Sequence, residues 1–159
     1  MHSINAFPAL LLFISSIESI ATLATMPVRP AYSNYVVSKQ AVTWKEAFVL
    51  CKQNGMDLVS IKNAEEHDAV AEALAPYPTI EGVNKGYWTA AMRFGTNSFV
   101  WLTDGQPMVY TNFEDGQPDN FKGMEECVEY FKTKNKYRWN DIPCGYKVGY
   151  ICQIRNVLC

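Results

Sequence analysis

The chain has 159 residues, with 14 basic and 16 acidic side chains and a formal net charge of −2. That length holds one domain with a sizeable core. The near balance of charge excludes the broad positive field that nucleic acid or an anionic membrane surface requires. Basic residues are scattered except at Lys132, Lys134, Lys136 and Arg138, whose alternation predicts the solvated edge of a strand or hairpin.

The N-terminus reads MHSINAFPALLLFISSIESIATLA, an apolar run from Ala6 to Ile17 followed by small residues. This is the pattern of a secretory signal peptide, residues 1–24, cleaved after Ala21 or Ala24. Glu18 breaks the run short of the roughly 20 apolar residues that a membrane span needs. The expectation is a secreted, extracellular protein with no membrane span, its domain over 32–153 and a short tail over 154–159. The cysteines agree with export. Five are present, Cys51, Cys127, Cys144, Cys152 and Cys159, none in a CxxC pair, and His67 is the one histidine beyond the leader. A structural zinc site is therefore poorly supplied. Four internal cysteines and one left over predict two disulfides plus an odd thiol, with the pairing open. Cys159, on the extreme tail, suits a disulfide to a second copy of the chain.

In chain order, Tyr35 to Lys39 predicts a short strand. TWKEAFVLCKQNG follows as a helix, with Thr43 and Glu46 spaced as a capping box and Asn54-Gly55 as its stop. Trp44, Ala47, Phe48 and Cys51 fall at i, i+3, i+4 and i+7, one buried stripe. MDLVSI predicts a second strand. NAEEHDAVAEAL repeats the helix grammar, with Asn63 as cap and Glu66 as its partner. His67, Val70 and Leu74 share one face, and Pro76 and Pro78 end the element. His67 has no Ser, Cys or second His near it in sequence, so it reads as a partly buried or surface residue and not as a catalyst. Beyond Pro78 the helical period stops. YWTAAM, FVWL, CVEYF, YRW and VGYICQ are short apolar runs separated by Gly, Pro, Asn and Asp, as short antiparallel strands and long loops require. The class is α+β, two helices and then a sheet with elaborate loops.

Five ordered blocks now carry a resemblance: TWxEAxxxCxxxGMDLVSI, FVWLTDGQPMVYTNF, GQPDNFKGMEEC, YRWNDIPC and GYICQ. Over about Tyr32 to Gln153 the chain resembles a C-type lectin domain, in particular the small secreted galactose-type lectins of insects. The resemblance implies disulfides Cys51–Cys152 and Cys127–Cys144, a cis proline at Pro118, and a calcium site. Its ligands are Gln117, Asp119 and Glu125 in one loop with Asn140 and Asp141 in a second. These five oxygen donors suit a hard cation, three of them being anionic, so a divalent ion is balanced with one charge over. No soft or imidazole ligand is present, which favours calcium over zinc or copper.

A sugar binds such an ion in the family through two neighbouring hydroxyls, the 3- and 4-hydroxyls. The ligating side chains share hydrogen bonds with them, and the order of amide and acid writes a donor–acceptor code. Gln-Pro-Asp, present here, goes with galactose; Glu-Pro-Asn goes with mannose. Phe121 stands where galactose-binding relatives carry an aromatic ring that packs on the sugar's apolar face. The sugar-binding set is thus Gln117, Asp119, Phe121, Glu125, Asn140 and Asp141, and the implied partners are galactose-containing glycans on cells or microbes. Residues 89–98 contain no acid, so one calcium is expected and not two. Short KGM between Phe121 and the Glu departs from the glycine-rich insertion common in galactose-specific relatives. An enzyme is disfavoured, because adjacent Glu125 and Glu126 point opposite ways in an extended segment. The rival reading is a protein-binding or adhesion module of the same fold without monosaccharide binding.

Overall fold

Thr43 decides where the first helix starts. Its hydroxyl accepts the Glu46 N–H, and the Glu46 carboxylate accepts the Thr43 N–H at 2.8 Å, closing the capping box. The computed structural model describes residues 34–78, 82, 84–96 and 98–155. The leader sequence and Cys159 lie outside the described residues.

Strand β1, Tyr35–Val42, runs three residues past the expected end because its ladder with the last strand continues to Val42 opposite Val148. Helix α1, Trp44–Gln53, buries Trp44, Ala47 and Cys51, while half-buried Phe48 stacks on Trp44 at 5.2 Å. Gly55, at φ +72°, takes the left-handed conformation that ends a helix. Strand β2 is only Met56–Leu58. Beyond it Val59 leaves the ladder to bridge two strands, donating to Ile151 O and accepting from Ala90 N. Helix α2, Ala64–Leu74, begins at Asn63, whose side chain accepts the Glu66 N–H. Glu66 does not reciprocate as expected; its carboxylate takes the Lys62 N–H instead.

Of the α2 stripe, Val70 and Leu74 are fully buried, and His67 is more buried than its sequence implies. Its ring lies 5.1 Å from that of Tyr130, within hydrogen-bonding reach of Asn112, and burial lowers its pKa. This is a neutral core histidine.

The remaining strands are β3 (Tyr87–Arg93), β4 (Phe99–Trp101), β5 (Gln106–Pro107), β6 (Cys127–Thr133), β7 (Lys136–Ile142) and β8 (Val148–Ile154). β8 pairs antiparallel with β1 and β2 and parallel with β3. β3 in turn pairs antiparallel with β4 and β6, β4 with β5, and β6 with β7. The Lys132–Arg138 alternation falls on the β6–β7 hairpin, whose turn residues Lys134 and Asn135 both have positive φ. At Gly86 a Cβ would meet the Tyr130 carbonyl oxygen at 2.5 Å, so the chain enters β3 only through a residue without a side chain.

Both implied disulfides are present. Cys51–Cys152 ties α1 to β8 across 101 residues, and Cys127–Cys144 ties the start of β6 to the segment after β7 across 17.

Candidate metal and ligand site

Trp139 fixes the orientation of β7. Its ring is fully buried and meets Trp101, Tyr110 and Phe113 edge-on at 6.0, 5.5 and 5.7 Å. The long connection after β5 is laid along this strand, with Trp139 N donating to Asn112 O and Glu114 N to Trp139 O. The two residues after Trp139 are therefore strand residues, not the second loop that the sequence predicts. Asn140 and Asp141 are both buried. Strand alternation sends them to different neighbours.

Asp141 organises the loop that precedes β6. Its carboxylate accepts the N–H groups of Asp119 at 3.1 Å and Asn120 at 3.0 Å. Asn120 sits at φ 48°, and its side-chain oxygen accepts the Glu125 N–H; the Glu125 carboxylate accepts the Phe121 N–H. The loop thus curls round its own acids. Carboxylate oxygens of Asp119, Glu125 and Asp141 all lie within 4.8 Å of one another. Gln117 joins them through its side-chain oxygen, which accepts the Asp119 N–H, and the Gln117–Pro118 bond is cis. Phe121 does not tuck inward. It is 59% exposed, with the Lys122 ammonium 5.2 Å from its ring centre.

Three clustered carboxylates carry a protonation signature. Burial pushes Glu125 up to about 7, and its hydrogen bond with Asp119 and the charges of Asp141 and Asp119 push the same way.

Asn140 is held differently. Its amide nitrogen donates to the Glu129 carboxylate at 3.3 Å, leaving Oδ1 buried with no hydrogen-bond partner among the described residues. A buried acceptor without a donor is costly. An oxygen of this kind suits a hard cation, and the three clustered carboxylates are the anionic donors calcium takes.

Two residues with a part here are ones that sequence reasoning passes over. Glu129 is fully buried, its carboxylate taking the N–H groups of Asn84 and Gly86 and the Asn140 amide. Burial raises its pKa, against those three bonds. Arg93 ends β3 and pairs with Asp141. The available signals were an acid inside the apolar run CVEYF and a lone cation ending YWTAAMR.

Residues 40–154 match the Lectin C-type domain family. The chain belongs to the C-type lectin domain family. Among relatives, it is 32% identical to Salivary C-type lectin 2 of Aedes albopictus, over 76% of this chain and 83% of that one. It is 25% identical to Lectin subunit alpha of Sarcophaga peregrina over 96% of this chain, and spans about half, 54%, of that protein. The fold is similar to the C-type lectin domain of murine dendritic cell inhibitory receptor 2, solved in complex with N-glycan, at 25% identity and TM-score 0.65. That match covers 77% of this chain and 90% of the other. C-type lectin domains are binding modules and not enzymes, and members of the family generally bind Ca2+. Among the described residues no helix is long and apolar enough to cross a membrane.

Proposed function

We propose that this C-type lectin domain binds one Ca2+ through Gln117, Asp119, Glu125, Asn140 and Asp141, and through it a galactose-type sugar. The observation that carries the reading is the convergence of three carboxylates, from Asp119, Glu125 and Asp141, whose oxygens lie within 4.8 Å of one another. Bound there, calcium would supply a Lewis-acidic centre at which two neighbouring sugar hydroxyls replace water. The chain's own part is to orient those hydroxyls. Asp119 and Glu125 accept from them, while the Gln117 amide can both donate and accept. Acid after the proline and amide before it is the order that goes with galactose. Exposed Phe121 offers a ring for the apolar face of the sugar.

The test is retention of the disulfide-intact protein on immobilised galactose in millimolar calcium, beside an immobilised mannose column. Retention on galactose alone, with elution by chelator, is expected. Exchanging the two residues, Gln117→Glu with Asp119→Asn, should move retention to mannose. Retention of the unaltered protein on mannose would overturn the sugar assignment while keeping the metal. Failure on both columns would favour the protein-binding module.

Acid should weaken calcium binding. Carboxylates ligate only when deprotonated, and below about pH 7 calcium must displace a proton held at Glu125. Affinity therefore falls as pH drops through 7. Calorimetric titration giving equal affinity at pH 7.5 and pH 5 would refute this.

The leader-like N-terminus and two disulfides support a secreted, extracellular protein acting on galactose-containing glycans. Cys159 would pair two copies. Linking two weak sugar sites raises avidity, and a band of twice the mass on a non-reducing gel, lost on reduction, is the expected sign.

A further inference from the structure

We propose that Arg93 is the positioning residue of this site, an internal cation that cancels one of its three carboxylate charges and holds the loops in shape before calcium arrives. The inference rests on the calcium reading above.

The side chain is 8% exposed and all three of its nitrogens are engaged. Nε donates to Glu125 O at 2.8 Å, Nη1 to Thr96 O at 2.8 Å, and Nη2 to Asp141 Oδ2. The guanidinium carbon lies 4.7 Å from the centre of the Phe99 ring. One planar group thus ties the β3–β4 connection to the acidic loop and to β7. A lysine has no such fork and would bond fewer of these acceptors from one position.

Charge gives this geometry a purpose. Asp119, Glu125 and Asp141 carry three negative charges when ionised, one more than Ca2+ neutralises. Arg93 takes that remaining charge, so the occupied site is balanced. The division of Asp141 is consistent with this. Oδ2 takes Arg93 and the Asn120 N–H, while among the described residues Oδ1 holds only the Asp119 N–H and keeps a lone pair for a metal. The stretch 89–98, which offers no acid, supplies a cation instead.

Without Arg93, the fully buried Asp141 faces two other carboxylates with only two backbone donors. Calcium can restore the lost charge; a chelator cannot. A merely structural arginine would lower stability by the same amount in both.

The experiment compares melting of the full, disulfide-intact chain with that of Arg93→Met and Arg93→Lys, each in excess calcium chloride and in EGTA. In EGTA, Arg93→Met should melt about 10 °C or more below the unaltered protein, and in calcium less than about half that. Arg93→Lys, charged but without the fork, should fall between. Proteolysis in EGTA should cut Arg93→Met within residues 114–126, and calcium should protect it. Folding of Arg93→Met in calcium alone supports the proposal. An equal drop in both media, or no drop in EGTA, overturns it. Where Arg93→Met folds in neither, equal lowering of Arg93→Lys in both media overturns it. If the unaltered protein itself gains no stability from calcium, the calcium reading falls and takes this inference with it. A calcium response in the unaltered protein with no widening in the variant refutes Arg93's role alone.

Discussion

Asp141→Asn should abolish calcium binding, weakening it by about 100-fold or more. The substitution keeps the shape of the side chain and changes three things at once. It removes one of three anionic ligands. It replaces an acceptor-only group with one that presents N–H toward backbone donors or toward Arg93. And it strips the buried Arg93 of its partner, a change that typically destabilises by about 3–5 kcal/mol. The loop feels this directly, since Asp119 and Asn120 are tied to β7 through that carboxylate's hydrogen bonds. Calcium titration by calorimetry, with melting in chelator alongside, separates lost ligation from lost folding. A variant that binds calcium with unchanged affinity would remove Asp141 from the site.

The second large effect concerns stability. Replacing Cys51 and Cys152 together by alanine should cost up to ~4.7 kcal/mol in the chain-entropy model, for a loop of about 100 residues. At roughly 4 °C per kcal/mol for a domain of this size, the melting temperature would fall by about 15–20 °C. This bridge joins α1 to β8, the strand to which β1, β2 and β3 all attach. Its loss should leave calcium affinity of the still-folded protein close to normal. Removing Cys127 and Cys144 should do the converse. The shorter loop is worth less, about 3 kcal/mol, but its ends lie two residues from Glu125 and three from Asp141. Calcium affinity should drop there before stability is exhausted. Denaturant melts of both double variants, each paired with a calcium titration, distinguish the two roles; equal effects on affinity would contradict this division.

Much of this was readable in the chain because the informative residues sit close together. The capping box at Thr43 and Glu46, the α1 stripe and the acids from Asp119 to Glu125 each lie within a few residues of one another. Patterns of that range survive as sequence signals. What could not be read depends on pairings across the fold. Arg93 meets Asp141 from 48 positions away, and in sequence it looks like an ordinary cation at a strand end. Glu129 looks like a surface acid until Asn84, Gly86 and Asn140 are found around it. Asn140 and Asp141 read as a second loop because both are polar and follow the apolar run YRW, yet β7 pairs with β6 along its whole length. His67 is similar, since a histidine on a helix face gives no hint of the aromatic rings that enclose it.

The loop tip is tethered to β7 by main-chain groups. Asp141 holds the peptide nitrogens of residues 119 and 120, not their side chains. Every amino acid but proline carries that nitrogen, so the tether places little demand on which residues occupy the tip. Arg93, Asn140 and Asp141 stand on strands, whereas Gln117, Asp119 and Phe121 stand on the tethered segment. Descendants of this gene can therefore exchange the residues that meet the ligand while inheriting the mooring unchanged, and a new preference can arise from a few codons without a new fold.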